Sequence, residues 1–200
     1  MGIRNLTAAG IAMAVCVSSV VAQGQDDKKD QDKEKGKDRG ARNYFGIKGG
    51  LYMPSDSEIR DVFGSSIVVF GLSFDDFTRQ ADKWRLTLDF DFITGEKNNN
   101  KFFAAPVTAS IGRVFGSRDD QVRPYVRFGV GGAYFDYSIT RPSTLERISE
   151  KKFGFGADAE FGVFFGERLR ISAKYLWFSK VDDFDFSGLQ LTATLNLFRF

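Results

Sequence analysis

The stretch Gly188-Leu-Gln-Leu-Thr-Ala-Thr-Leu-Asn-Leu-Phe-Arg-Phe200 decides the fold. From Leu189 to Leu197, apolar residues alternate with Gln, Thr and Asn. A period of two indicates a β-strand that has one apolar and one polar face. The strand ends on an aromatic residue, Phe200, at the last position of the sequence. We therefore predict a sheet that closes on itself, with this last strand paired to the first.

Segments with the same alternation recur from residue 43 onward, separated by polar or glycine-rich breaks. The predicted strands are 43–53, 65–75, 84–94, 102–115, 122–138, 152–165, 168–178 and 188–200. Each is long enough to cross a bilayer when tilted, and an even number of strands is typical of bacterial membrane barrels. The predicted fold is all-β, an eight-stranded antiparallel up-and-down transmembrane β-barrel over residues 43–200.

The residues before the barrel predict export. Residues 1–22 combine a short basic start at Arg4 with an apolar run and a Val-Val-Ala ending, which is typical of a secretory signal peptide cut after Ala22. The only cysteine, Cys16, would leave with it. Residues 23–42 interleave acids and bases without an aromatic or β-branched residue, so they predict a disordered charged linker.

Charged residues inside the strands fall almost wholly on one face. This face carries Lys48, Arg85, Asp89, Asp91, Arg127, Lys152, Asp158, Glu160, Arg170 and Lys174. The opposite face is mainly apolar, and Arg113 on it lies near a strand end where a long side chain can reach the headgroups. A basic side chain facing lipid at mid-membrane costs roughly 2–4 kcal/mol, so the charged face should line the interior.

Alternation alone also fits a soluble periplasmic lipocalin-like binding barrel, whose apolar face points inward. Three features favour the membrane barrel: small residues on the polar face, aromatic residues at strand ends, and long connections that alternate with short ones. The aromatic residues at strand ends are Tyr44, Trp84, Phe102, Phe115, Tyr134, Trp177 and Phe178. The predicted long outer loops follow strands 1, 3, 5 and 7, whereas 76–83 is an unusually long connection on the periplasmic side.

Several motifs resemble those of known outer-membrane proteins. The stretch Arg123-Pro-Tyr-Val-Arg-Phe-Gly-Val-Gly-Gly132 resembles the Pro-Tyr strand of small OmpA-like and OmpW-like barrels, and Gly46-Ile-Lys-Gly-Gly-Leu-Tyr-Met-Pro-Ser-Asp56 resembles the first OmpW-like strand. The ending Phe198-Arg199-Phe200 is similar to the signal that the barrel-assembly machinery recognises in such proteins. The resemblance implies an outer-membrane location and functions as diverse as anchoring, adhesion and passage of small, often apolar, molecules.

The polar face is the candidate functional site, because an eight-stranded barrel has an interior just wide enough for side chains to fill. We predict a lumen polar network, structural or gating, made by Lys48, Arg85, Asp89, Asp91, Arg127, Asp158, Glu160, Arg170 and Lys174. The sequence contains no histidine, so neither a general base of the usual kind nor a zinc site is predicted, and no cofactor is expected. The net charge of +2 gives no indication of nucleic-acid binding.

We therefore expect a non-enzymatic, monomeric outer-membrane barrel with a plugged polar lumen and a structural or surface-interaction role. The alternatives are a narrow channel for small molecules, including apolar ones, and the soluble periplasmic barrel. Expected partners are outer-membrane lipid, lipopolysaccharide and the assembly machinery. Acids and aromatics in loops 54–64 and 179–187 indicate either a contact surface or a solvated rim. Because the leucines of the last strand are out of phase with Phe198 and Phe200, we also predict a bulge at Leu197-Phe198.

Overall fold

The computed structural model describes residues 44–75, 84–117, 120–142 and 144–199. The predicted signal peptide at 1–22, the linker at 23–42, the long connection at 76–83 and the terminal Phe200 lie outside the described residues.

Eight antiparallel strands form a closed barrel in which each strand pairs with its neighbours in sequence, and the last strand closes on the first. The strands are β1 Tyr44–Pro54, β2 Ile67–Asp75, β3 Arg85–Lys97, β4 Asn100–Val114, β5 Val122–Thr140, β6 Arg147–Phe165, β7 Leu169–Phe178 and β8 Gly188–Arg199. The predicted fold class is confirmed. We call the end of the barrel where β1 begins the terminal end, and the opposite end the loop end.

The seam between β1 and β8 contains one irregularity. Phe45 pairs with Phe198, whereas the next residue, Gly46, pairs with Asn196, so Leu197 is an extra residue in β8. This register shift is the predicted bulge. An extra residue changes which of the alternating positions face outward. This explains why the apolar residues alternate in one phase up to Leu195 and Leu197 and the last residues of the strand alternate in the other.

The loop end differs from the prediction in its connections. The expected long loop after β3 is a two-residue turn, Asn98-Asn99, in which both residues have positive φ of 49° and 64°. Asparagine tolerates this conformation, and such turns match the twist of a hairpin. The strands β5 and β6 also extend into the predicted loop 139–151, up to the pair Thr140–Arg147. Long outer loops were therefore a wrong expectation at two of four positions.

A short helix that the sequence prediction missed lies between β1 and β2. This helix, α1, spans Ser57–Phe63 and begins at Asp56, whose side chain accepts a hydrogen bond from the Glu58 amide. It ends at Gly64, whose φ of 96° favours glycine. Ile59, Val62 and Phe63 are buried. These apolar residues thus face the barrel and are not part of an exposed rim.

The two faces of the barrel wall are arranged as predicted around its middle. Large apolar side chains point outward, including Leu86 at 69% exposure and Phe155 at 84%, while the acids Asp89 and Asp91 are buried inside. The guanidinium of Arg113 lies 5.6 Å from the ring centroid of Phe115, near the terminal end. In the described part of the chain no helix is long and apolar enough to cross a membrane.

Toward the loop end the polarity of the two faces inverts. The outward residues of β6 become polar at Lys151, Ser149 and Arg147, while buried residues become apolar. The buried apolar residues of this upper interior are Tyr52, Ile67, Val69, Ile93, Phe102, Ala104, Ala133, Phe135, Tyr137, Ile139, Leu176 and Phe178. Phe102 and Phe178 were among the strand-end aromatic residues taken to favour a membrane barrel, and they instead fill the interior.

Candidate functional site: the filled lumen

An ion network occupies the middle of the lumen. We use this name for Lys48, Asp89, Asp91, Arg127, Glu160 and Lys174, which come from β1, β3, β5, β6 and β7. The Lys48 ammonium lies 2.6 Å from a carboxylate oxygen of Asp91 and 3.4 Å from one of Asp89. Lys174 also pairs with Asp91. All six side chains are buried, so each charge depends on the others for its compensation.

Arg127 is the hub of the ion network. Its guanidinium donates hydrogen bonds to the carboxylates of both Asp89 and Glu160, which lie on opposite sides of β5. A further nitrogen lies 3.4 Å from the Thr87 hydroxyl. The planar, forked geometry of arginine suits this bridging, which a lysine could not reproduce. Arg127 therefore ties β3, β5 and β6 together through the interior.

A second cluster closes the lumen toward the terminal end. Tyr125 donates a hydrogen bond to Glu160 and packs against Phe164, with ring centroids 5.0 Å apart. The guanidinium of Arg170 lies 5.8 Å from both ring centroids, and one of its nitrogens lies 3.0 Å from the Ser73 hydroxyl. Arg123 stacks on Phe164 at 5.7 Å. We call Tyr125, Phe164, Arg170 and Arg123 the base cluster. The predicted lumen network did not include Arg123.

Two further residues of the predicted network are Asp158 and Arg85. Asp158 is buried, yet neither of its carboxylate oxygens has a hydrogen-bond partner among the described residues. Arg85 is half-buried near the terminal end, opposite Gly112 on β4. Lys152, predicted on the charged face but not in the network, lies at the loop end and contacts Asp182 there. Phe198 is in register with Phe45, and nothing in the structure tests its predicted role in assembly.

An aromatic cap fills the lumen at the loop end. It is formed by the upper interior together with α1 and the loop 179–187, which we call L4. The ring of Phe186 stacks on Phe102 and Phe135, with centroid distances of 5.1 and 4.9 Å. Tyr52 donates a hydrogen bond to the Phe186 carbonyl oxygen. The Arg141 guanidinium lies 4.9 Å from the ring centroid of Phe184.

The alternation of strand residues could not reveal the cap, because L4 and α1 supply part of it. A local signal did exist: Ile59, Val62 and Phe63 have helical spacing directly after Asp56, a favoured N-cap residue. In L4, Phe184 and Phe186 alternate with acids, and the pattern does not show that the loop folds inward. Among the described residues, no group of three or more potential metal-binding side chains is found.

Asp182 anchors L4 to the barrel. Its carboxylate accepts hydrogen bonds from Lys152 on β6 and Tyr137 on β5. Arg141 adds a hydrogen bond of 3.2 Å to the Asp182 carbonyl oxygen. The hydrogen bond from Lys152, followed by that from Tyr137, holds the pKa of the Asp182 carboxyl below its ordinary value.

We expect acid to loosen L4. A carboxyl whose pKa is lowered in the folded state stabilises the fold above its unfolded pKa, and this stabilisation is lost as the pH falls through the lowered value. The NMR resonances of the Phe184 and Phe186 rings should therefore shift on titration below about pH 4. The shift should vanish in Asp182→Asn and persist in the control Asp183→Asn, which alters an exposed neighbour. An unchanged titration in Asp182→Asn would contradict this role.

Comparison with known proteins agrees with this architecture. The family model described as "Outer membrane protein beta-barrel domain" matches residues 12–196. The chain belongs to this family. The family places the protein in the outer membrane, so the exposed apolar belt of the barrel faces lipid and the soluble periplasmic alternative does not hold. A search of curated proteins found no match.

Solved structures of other small outer-membrane proteins are similar in fold. The outer membrane enzyme PagL is 15% identical, with a TM-score of 0.51 over 76% of this chain and 99% of that one. Neisserial surface protein A is 11% identical, with a TM-score of 0.46 over 78% and 96%. Ail from Yersinia pestis, in nanodiscs, is 18% identical, with a TM-score of 0.46 over 79% and 99%. At these identities the likeness concerns the fold alone.

Proposed function

We propose that the protein is a closed, non-enzymatic outer-membrane barrel with a structural or surface-interaction role. The observation that carries this proposal is the filled lumen. The base cluster, the ion network and the aromatic cap follow one another from the terminal end to the loop end. The side chains that line the three layers are almost completely withdrawn from solvent. A solute crossing the lumen would have to displace all three layers.

The absence of catalysis is part of the proposal. The sequence has no histidine, and the buried carboxylates of the ion network are occupied by basic partners. A general base must reach the proton that it abstracts, and these carboxylates are enclosed within the barrel wall. Exposed acids such as Glu96 and Asp136 lie on the strands toward the loop end, where each is within 3.4 Å of a lysine ammonium.

The rival function is a narrow channel for small apolar molecules. The observation that favours it is the aromatic lining of the upper lumen, which resembles the apolar pockets that bind such molecules. In this structure the rings of Phe184 and Phe186 already occupy that space. The rival function therefore requires L4 to move out, and it also requires a way past the ion network.

Two transport measurements test the proposal. The protein in planar bilayers should give no single-channel events, and vesicles containing it should release a small apolar dye no faster than protein-free vesicles. The variant Phe186→Ala, which opens the cap, should still conduct no ions because the ion network remains below it. Step-like conductance by the unmodified protein, or faster dye release, would show that the lumen is a channel.

A further inference from the structure

The hairpin formed by β5 and β6 leaves part of β6 without a second neighbour. Pairing of β6 with β5 continues without a register shift from Phe165 to Arg147. Pairing of β6 with β7 ends at Gly156, opposite Phe178. Within the described residues, no other strand pairs with β6 beyond Gly156. We call residues 147–154 of β6 the free edge.

The backbone N–H and C=O groups of successive residues in the free edge point alternately toward β5 and away from it. At the start of L4 the Ser179 amide donates to the Phe155 carbonyl oxygen at 2.8 Å. The backbone carbonyl of Phe155 therefore points away from β5. On the other side, the Arg141 amide of the β5–β6 connection donates to the carbonyl oxygen of Glu146. In an antiparallel pair these directions alternate by residue. The backbone groups of Arg147, Ser149, Lys151 and Phe153 therefore point outward from the free edge.

We propose that the free edge is a docking site for an extended, acidic segment of a partner protein, which adds to the sheet as a further strand. Adding a strand to an exposed edge is an established mode of peptide recognition, in which main-chain hydrogen bonds supply affinity and side chains supply specificity. The proposal extends the surface-interaction part of the proposed function. It does not depend on whether the lumen conducts.

The charges of the free edge select its occupant. Its outward side chains include Arg147 and Lys151, and both are exposed. The Arg147 guanidinium donates to two neutral acceptors, the Ser138 hydroxyl at 3.0 Å and the Asn99 carbonyl oxygen at 3.3 Å. Asp136 on β5 lies 3.4 Å from the Lys151 ammonium, but this pair is mostly in solvent and is weak. The free edge also carries one exposed acid, Glu150. Phe153 adds an outward ring at 83% exposure. A strand with acids opposite the two basic residues and an apolar residue opposite Phe153 is complementary to this edge.

A second copy of the chain fits the free edge poorly. In an antiparallel two-fold pairing, a centre at Glu150 puts two glutamates opposite each other, and a centre at Lys151 puts two lysines opposite each other. A centre at Ser149 places Arg147 opposite Lys151 twice. Like charges directly opposite destabilise a strand pair. The same charges that prevent edge-to-edge association therefore admit an acidic strand from another protein.

Peptide binding to the full-length protein in nanodiscs tests this proposal. The probe is a synthetic peptide of about eight residues, matched to the free edge, with glutamates opposite Arg147 and Lys151 and alternating valine and threonine elsewhere. We expect it to slow amide hydrogen exchange at Arg147, Ser149, Lys151 and Phe153. The same peptide with lysines in place of the glutamates should leave exchange unchanged.

Two variants form a matched pair for this experiment. Lys151→Gln should weaken binding of the acidic peptide, on the order of two- to fivefold for one cross-strand charge pair. Lys101→Gln is the control, because Lys101 is similarly exposed and lies 3.4 Å from an acid, Glu96, on strands away from the free edge. Its affinity for the peptide should equal that of the unmodified protein.

Several results would overturn the proposal: no protection by the acidic peptide, equal protection by the basic peptide, or an equal loss in both lysine variants. Protection of the same amides by nanodisc lipid without peptide would assign the edge to lipid instead. None of these results would change what the transport measurements show about the lumen. Conversely, a conducting lumen would leave the peptide result in place.

Discussion

Arg127→Ala should reduce the free energy of unfolding by about 3–5 kcal/mol, since removing one partner of a buried ion pair leaves the other charge uncompensated. Here two carboxylates, those of Asp89 and Glu160, lose their shared partner. Both remain buried within the barrel, where Asp89 keeps the ammonium groups of Lys48 and Lys174, at 3.4 and 3.7 Å, and Glu160 keeps the hydrogen bond from Tyr125. The loss should appear as a lower unfolding temperature in detergent, read from the mobility shift between folded and heated samples on a gel.

A matched control separates this effect from the loss of any charged side chain. Lys101→Ala removes a lysine that also contacts an acid, Glu96, but both side chains are about two-thirds exposed. Exposed pairs contribute about 0–1 kcal/mol, so its unfolding temperature should barely change. The double variant Arg127→Met, Glu160→Gln should recover part of the lost stability, because it removes one buried charge of each sign and leaves Asp89 and Asp91 paired with Lys48 and Lys174. Equal melting of Arg127→Ala and the unmodified protein would refute the structural role of the ion network.

Gly50→Ala should impair closure of the barrel. A Cβ atom at Gly50 would lie 2.0 Å from the backbone carbonyl oxygen of Leu191, on the strand that closes the barrel against β1. No side chain can move to relieve that clash, because the obstructing atom is backbone. Inserting atoms into a packed site costs about 1–3 kcal/mol, and we expect the upper end of this range or more. The yield of the heat-modifiable folded form should fall accordingly.

The neighbouring glycine provides the control. A Cβ atom at Gly49 would meet no atom within 4 Å, because this residue points outward between β2 and β8. Gly49→Ala should therefore fold as well as the unmodified protein, or slightly better, since glycine weakens a strand interior. Similar behaviour of the two alanine variants would show that backbone approach at the seam does not limit folding.

The sequence was sufficient to predict the strand order, the closed barrel and the inward face at mid-membrane. These features depend on alternation, and alternation is read directly from residues such as those around Asp89, Arg127 and Lys174. The lipid outside imposes a strong constraint there, because a charge on that face is costly. Even the extra residue at Leu197 was detectable, since it shifts the phase of the apolar residues.

Alternation could not predict the loop end, because the constraint imposed by lipid ends there. In β5 the apolar residues move from even positions such as Phe128 to odd ones such as Phe135 and Tyr137, while the residues facing inward remain odd. The rule that apolar residues face outward therefore fails between Ala133 and the loop end. The inward folding of L4 depends on contacts such as Asp182 with Lys152, which join residues 30 positions apart.

The inversion of polarity along the barrel gives its two halves different responses to temperature. The aromatic cap is held by burial of apolar rings from water, as in a soluble protein, and this driving force has a large heat-capacity signature and weakens on cooling. The ion network depends on charge pairing and lacks that signature. Cooling should therefore loosen the cap while the network and the lipid-facing wall persist. Cold is consequently the condition that separates the two halves, whereas strong heating unfolds both together.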